Sequence, residues 1–590
     1  MGLIRASMEN PQGIETMKTS STPLAYQFRS LLGRPLRRRL GIARRQFLDA
    51  AREDCRGAQR ALLRDLLQLN GDSDFSRENG LHPGMSLEEY RRRIPVSDYE
   101  FFRPWIERVA NGNHAAFLGR KNRLLMFAMT SGTTDASKRI PVTRRFLRDY
   151  RAGWQRWGVG VYERFPELPD LNIVQISSSH RRTYSPGGTP CGNISGLVAS
   201  MQNPIVRSLY TVSADVAEIE LQKLKRRMTL MLALADPYVG IFMTANPGTL
   251  MQLFQEMSRD PESLIRDVHD GLAAQVPAGM ARGSRLRRRL RARRGRAAEL
   301  AAILKETGRL SPCSVWPRLQ VLAAWTGGSA SAWLRELREY SSNIPIWDHG
   351  LHASEGRMTL PLEPGSSTGV LEIQTHFFEF IPTSEADSSH PVVLEAHELE
   401  RGGEYYILLT TSSGLCRYHI RDVVRCNGFH GATPLLEFLH KGAHISSISG
   451  EKISESQVVQ AVQRASESLL TPLLYTMTPV WGTPPGYLLH LQLARPTVSE
   501  KLEQFAAAVD EALSVFNEEY REKRASGRLA PVRVSVHPDP IWLRFQESRL
   551  RKSGGSPEQY KHPFLMPDPG FEGLFMRSCG AGEALAEPQR

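Results

Sequence analysis

Short uncharged apolar runs, each ending in small or polar residues, recur through the first half of this chain. They are Leu124–Met129, Leu171–Ile176, Tyr238–Thr244, Leu319–Ala324 and Ile344–Trp347. A strand with water on one face alternates apolar and polar residues; a continuous apolar run is buried on both faces, as in a parallel sheet covered by helices. Between these runs, Arg144–Phe165 has helical spacing. Asn246-Pro247-Gly248 introduces a further helix near Thr249. The pattern predicts a mainly parallel sheet with helices on its faces, and ligands at the carboxyl ends of its strands.

From about Gly369 the texture changes. The segments VLEIQTHFFEFIP and EYYILLTTSSGLCRYHIRDVVRCNGF alternate in period two and predict antiparallel strands. After Gly450 comes a smaller unit: a helix over Glu455–Leu469, a strand over Tyr487–Leu493, a long helix from Ser499 to about Lys523, and a strand over Val532–Val536. A chain of 590 residues exceeds one compact core. The fold class is therefore α/β. It comprises a large N-terminal domain of mostly parallel sheets flanked by helices with a β-rich portion, over 26–450, and a small mobile C-terminal α+β domain over 451–572. Residues 1–25 and 573–590 read as disordered ends.

Charge and cysteine usage exclude several classes. Net charge is +13, but the run Arg282–Arg296 holds nine arginines and no acid, leaving +4 for the rest. A second cluster, 34–45, adds six arginines. Neither interleaves aromatics that could stack on bases, so both read as solvated helix faces or surface insertions rather than a nucleic-acid site. The six cysteines form no CxxC pair, which argues for buried free thiols over metal ligands or disulfides. No apolar run is long enough to span a bilayer, and the N-terminus lacks a signal-peptide core. The reading is a cytoplasmic, soluble monomer.

The segment with most chemistry is Thr130-Ser131-Gly132-Thr133-Thr134-Asp135-Ala136-Ser137-Lys138. It follows a buried strand and joins what a phosphate loop needs. Glycine lets the backbone approach an anion, hydroxyls and amides donate to it, and lysine neutralises charge. A Ser/Thr-rich turn is the alternative on this segment alone, since the Walker spacing is absent.

This segment resembles the phosphate loop of adenylate-forming enzymes, and other segments extend the resemblance. Asp348–Gly356 (DHGLHASEG) resembles their second motif, and Gly414–Val424 (GLCRYHIRDVV) their third. Gly450–Glu455 and Gln559–Pro563 are similar to their hinge and C-terminal lysine segments. With FFEFIP at 377–382 and WPRLQVLAAWTGG at 316–328, the set is similar to the acyl acid amido synthetases of the auxin-responsive Gretchen Hagen family, in order, from about Tyr99 to Pro563. The sequence departs from that pattern at Asp135 and Arg421, where glycine is common, and at Leu351, where tyrosine is usual.

The resemblance implies ATP and Mg²⁺ as cofactors, with a carboxylic acid and an amine, an amino acid above all, as substrates. It implies that Asp422 accepts from the ribose hydroxyls and that Glu355 holds Mg²⁺. Ser131, Gly132, Thr133, Thr134, Lys138 and Ser354 would bind the nucleotide. Lys561 would stabilise charge at the α-phosphate, and Lys452 would sit at the hinge. The acid would be activated as acyl-AMP and then joined to the amine. An acid–CoA ligase, a basic nucleic-acid-binding protein and a non-catalytic relative stand as alternatives. The stretches His180–Tyr184, Met201–Pro204 and Trp325–Ser329 are the candidates for the acid's walls.

Overall fold

A computed structural model describes residues 23–567 apart from 131–137, 203, 279, 281–282, 386–387, 389, 443–444, 447, 450, 452 and 554–559. Four of the apolar runs form one sheet in which every pairing is parallel. Its strands are Asn172–Gln175, Val239–Met243, Val321–Ala323 and Ile346–Trp347, side by side in chain order. Three of the four strands are buried throughout and only Gln175 of the fourth is partly open, as the absence of alternation required. The helix Pro247–Arg259 follows its strand directly; Asn246 caps it by accepting from the Gly248 amide at 2.9 Å. All four strands point their carboxyl ends the same way.

The fifth run, Leu124–Thr130, lies in a separate mixed sheet. It pairs antiparallel with Lys138–Thr143, with Thr130 opposite Lys138, and parallel with Pro190–Gly192. Leu124–Thr130 and Lys138–Thr143 are thus the two arms of a hairpin. The helix Arg144–Arg164 leads out of that hairpin, capped by the Thr143 hydroxyl on the Phe146 amide. The β-rich portion is a seven-stranded sheet with only antiparallel pairs, centred on Glu404–Thr410, Tyr418–His430 and Thr433–Lys441. On its next-to-edge strand Phe377–Pro382, Glu379, about 1% exposed, takes Arg417 and Arg91 on its two oxygens at 3.0 and 2.8 Å. A buried carboxylate needs such partners.

The last part packs Glu455–Ser466 and Ser499–Phe516 on the strands Leu474–Val480, Gly486–Gln492 and Arg533–Val536. One expectation fails here. The helix read from Ser499 to Lys523 is two helices, because Asn517 takes an extended conformation and caps Glu518–Ala525 through the Tyr520 amide. Asparagine followed by two glutamates is an N-terminal signal, and it prevails over continuous apolar spacing.

The arginine run also acquires structure. Leu286 and Leu290 are fully buried one turn apart, while Arg285, Arg287 and Arg288 are exposed. Arg289 donates to the carbonyls of Tyr210 and Thr211, and Arg296 to those of Leu234 and Val315. Part of the run is therefore structural staple rather than solvated face. Among the described residues no helix is long and apolar enough to cross a membrane. The five described cysteines are free; four are buried and Cys313 is exposed.

Candidate functional site

A cavity of about 750 Å³ opens at the carboxyl ends of the parallel strands. Gln175, Met243, Thr244, Trp325, Asp348 and His349 reach it from those ends. The seven-stranded sheet contributes His419, Arg421, Asp422 and Lys441, and the last part contributes Lys561 and Phe564.

Five charged groups predicted or revealed here share this space. Asp422 is about 3% exposed on the strand Tyr418–His430. Strand register places Lys441 opposite it, and Lys441 Nζ lies 2.7 Å from Asp422 Oδ1. Lys441 carries no motif and was not read from the sequence. Burial works against its charge, yet Asp422 and Glu355 more than offset that and hold its pKa above the ordinary lysine value. Glu355, about 6% exposed, has its pKa raised by burial, with Asp422 adding to the rise and Lys441 and Lys138 opposing it. Lys138 is half-buried, its ammonium 5.5 Å from the centre of the Tyr99 ring. Burial lowers its pKa, with Lys441 adding to the fall and Glu355 opposing it.

Lys561 stands in the cavity with its ammonium 4.5 Å from the Trp325 ring centre. Its side chain is exposed to the cavity, whose walls surround it. That enclosure, then the Lys441 ammonium, lowers its pKa. Backbone bonds fix the segment that carries it. Met477 and Phe564, and Met566 and Met477, pair at 2.9 Å, so the segment extends the edge of Leu474–Val480. The Phe564 amide donates to Glu455, and Asn246 reaches across to the Tyr560 carbonyl.

Beside Asp422, Arg421 holds φ at +64°, where glycine would be at ease. A non-glycine residue costs about 1–2 kcal/mol there. Local bonds absorb it: the Arg421 amide donates to His419 Nδ1 at 3.0 Å, its carbonyl accepts from Gly442, and its guanidinium meets Asp98 at 3.1 Å.

The remaining wall is aromatic. His352 packs between Trp154 and Trp325, with ring centres 5.4 and 4.9 Å away, and lies 5.0 Å from His349. Burial pushes His349 down to about 3 and His352 well below its usual value, so both are neutral at pH 7. Asp348 is pushed up to about 6 by burial, although it accepts from Thr326 and Gly350. Gly350 at φ +91° lets the chain turn against the Thr359 carbonyl, where a Cβ would stand 2.1 Å away.

The structure brings Lys138, Ser354, Glu355, Asp422 and Lys561 to one cavity. Ser131, Gly132, Thr133, Thr134 and Lys452 lie outside the described residues, as does Asp135. Of the candidate acid walls, Met201, Gln202, Trp325 and Gly327 line the cavity, whereas residues 180–184 do not. The larger part of that wall, the helix Arg144–Arg164, had not been singled out.

A mixed α/β scaffold with a cation-rich pocket at strand ends, closed by a smaller α+β unit, is a ligase-like architecture. The chain belongs to the GH3 family, the Gretchen Hagen family of the sequence resemblance. Its N-terminal domain matches over residues 44–346, its central domain over 369–441 and its C-terminal domain over 456–570. The indole-3-acetic acid-amido synthetase GH3.8 of Oryza sativa subsp. indica is 24% identical, over 88% of this chain and 90% of that protein. Jasmonoyl-L-amino acid synthetase JAR4 of Nicotiana attenuata is 24% identical over 71% and 74%. The GH3.15 acyl acid amido synthetase in complex with 2,4-DB superposes with a TM-score of 0.79 at 18% identity, covering 91% of this chain and 96% of that one. That likeness concerns the fold.

Proposed function

We propose that the protein is an ATP-dependent acyl acid amido synthetase. The observation that carries this reading is the meeting of Asp422, Glu355, Lys138, Lys441 and Lys561 with an aromatic-walled trench in one cavity of a GH3-family chain. Three ammonium groups around two carboxylates suit a polyanion that carries a diol. Asp422, steadied by Lys441, accepts from the ribose hydroxyls, while Lys138 and the loop residues Ser131, Gly132, Thr133 and Thr134 cradle the phosphates. Ser354 borders the nucleotide beside Glu355.

Glu355 offers a buried carboxylate next to Asp422, a hard-oxygen donor set that fits Mg²⁺. The ion would supply neutralisation of the phosphate charge. Attack of the acid's carboxylate oxygen on the α-phosphorus forms the acyl–phosphate bond of acyl-AMP and releases pyrophosphate. Lys561 meets the charge that builds on the α-phosphoryl oxygens. An amine, foremost that of an amino acid, then attacks the acyl carbon, expels AMP and loses a proton. The domains 26–450 and 451–572 would swing about Lys452 between the two steps, taking Lys561 out of the site. A cytoplasmic monomer acting on free small molecules fits this reading.

Acid-dependent exchange of labelled pyrophosphate into ATP tests the first half-reaction, with hydroxylamine as a trap for the activated acyl group. Exchange together with hydroxamate is the expected result. ATP bound but never exchanged, across a broad acid panel, would leave a non-catalytic relative.

A further inference from the structure

The helix Arg144–Arg164 lines the cavity with one continuous face. Tyr150, Trp154, Gly158 and Tyr162 follow one another at four-residue steps, flanked by Trp157 and Val161. His352 meets this face at Trp154 and packs on Trp325 behind it, and Lys561 lies over Trp325. The reacting end of the cavity is therefore level with Trp154. Beyond it the trench runs over Gly158 to Tyr162, which stands near Tyr210 and Gln202. Eight residues of helix cover about 12 Å.

Gly158 borders open space midway along this face. A Cβ built there meets nothing within 4 Å, although the residue sits in mid-helix with packed neighbours on either side. Glycine in a helix interior costs roughly 0.5–1 kcal/mol against alanine, and no positive φ demands it here. Ile173, Val198, Val206 and Ile241 add apolar lining to the same cavity. Arg151 is the only charged residue that this helix presents to the cavity, and its guanidinium is turned onto the Val198 carbonyl.

Resting on the amido synthetase reading, we propose that the acid is an elongated one. Its uncharged apolar tail would lie along the helix over Gly158, with Tyr162 and Tyr210 as the end stop. With C–C bonds of about 1.5 Å in zigzag, 12 Å accommodates roughly eight to ten carbons. Gly158 then sets the length limit, and the trench selects extended alkanoic or aryl-alkanoic acids over compact ones.

A series of straight-chain acids from four to sixteen carbons tests this with the full-length protein, read in two ways. Quenching of tryptophan fluorescence reports binding, since Trp154 and Trp157 form the wall, and pyrophosphate exchange reports activation. Affinity should climb about three- to four-fold per methylene and stop climbing at roughly ten carbons, where the end stop is reached. Gly158→Leu should move the break to shorter acids and lower the ratio of ten-carbon to six-carbon affinity at least ten-fold. Tyr210→Ala should move it to longer ones. If Gly158→Leu does not fold, Gly158→Ala should still shorten the limit. A chain-length profile that is flat, or a break that none of these variants moves, overturns the proposal. Length-dependent quenching without any exchange would spare the trench and refute the amido synthetase reading instead.

Discussion

Replacing Lys441 by methionine removes the ammonium that lies between Asp422 and Glu355 while keeping most of the side-chain volume. Both carboxylates are nearly inaccessible, and Lys441 Nζ sits 2.7 Å from Asp422. Breaking a fully buried pair costs about 3–5 kcal/mol. Because a third of the Lys441 side chain is exposed, the expected loss is nearer 2 kcal/mol at neutral pH. The loss must also depend on pH in a definite direction. Glu355 already has a raised pKa in the fold, and losing Lys441 raises it further. Between its unfolded and folded pKa values the native state holds a proton that the unfolded state has released, so stability falls as pH rises through that window. Lys441 itself stays charged in both states until well above neutral pH, because its folded pKa is the higher one. Urea unfolding at pH 4.5 and 7.5 should therefore show a deficit against wild type that is larger at the higher pH, the Glu355 share being absent at the lower one. A deficit equal at both values, or none at either, would refute the electrostatic role assigned to Lys441.

Asp422→Asn should leave the fold intact and weaken ATP ten-fold or more, since a hydrogen bond to a charged group contributes about 1.5–3 kcal/mol. Unchanged affinity in calorimetry would remove Asp422 from the site. Lys561→Ala should slow adenylation on the order of 10²–10³ with little change in the Michaelis constant for ATP, and spare amide formation from supplied acyl-AMP. A rate within two-fold of wild type would strip Lys561 of that role. Arg421→Gly should relieve the positive φ and raise stability by up to about 1 kcal/mol, net of a half-exposed pair with Asp98. Loss of more than that would mean the Arg421 side chain anchors the turn.

The buried parallel strands were legible because both-face burial leaves its mark in each segment on its own. That Ser354, Glu355, Asp422 and Lys561 come to one cavity was legible because local motifs surround them. Lys441 was not, since only strand register brings it opposite Asp422, nineteen positions earlier. Gly158 was equally silent: within its helix it reads as a weak point, and only the fold shows that it borders the cavity. At Asn517 the capping signal was present in the sequence but outweighed by apolar periodicity. In the arginine run, the pair Leu286 and Leu290 marked a buried face that the charge obscured.

The central claim is amide formation through an acyl-adenylate, and the products decide it. Wild-type protein with Mg²⁺, ATP, the best acid from the length series and the pooled proteinogenic amino acids should release AMP and pyrophosphate. Mass spectrometry should find an acyl–amino acid amide formed in step with AMP. Release of ADP, or AMP formed only with coenzyme A and accompanied by a thioester, would contradict the account.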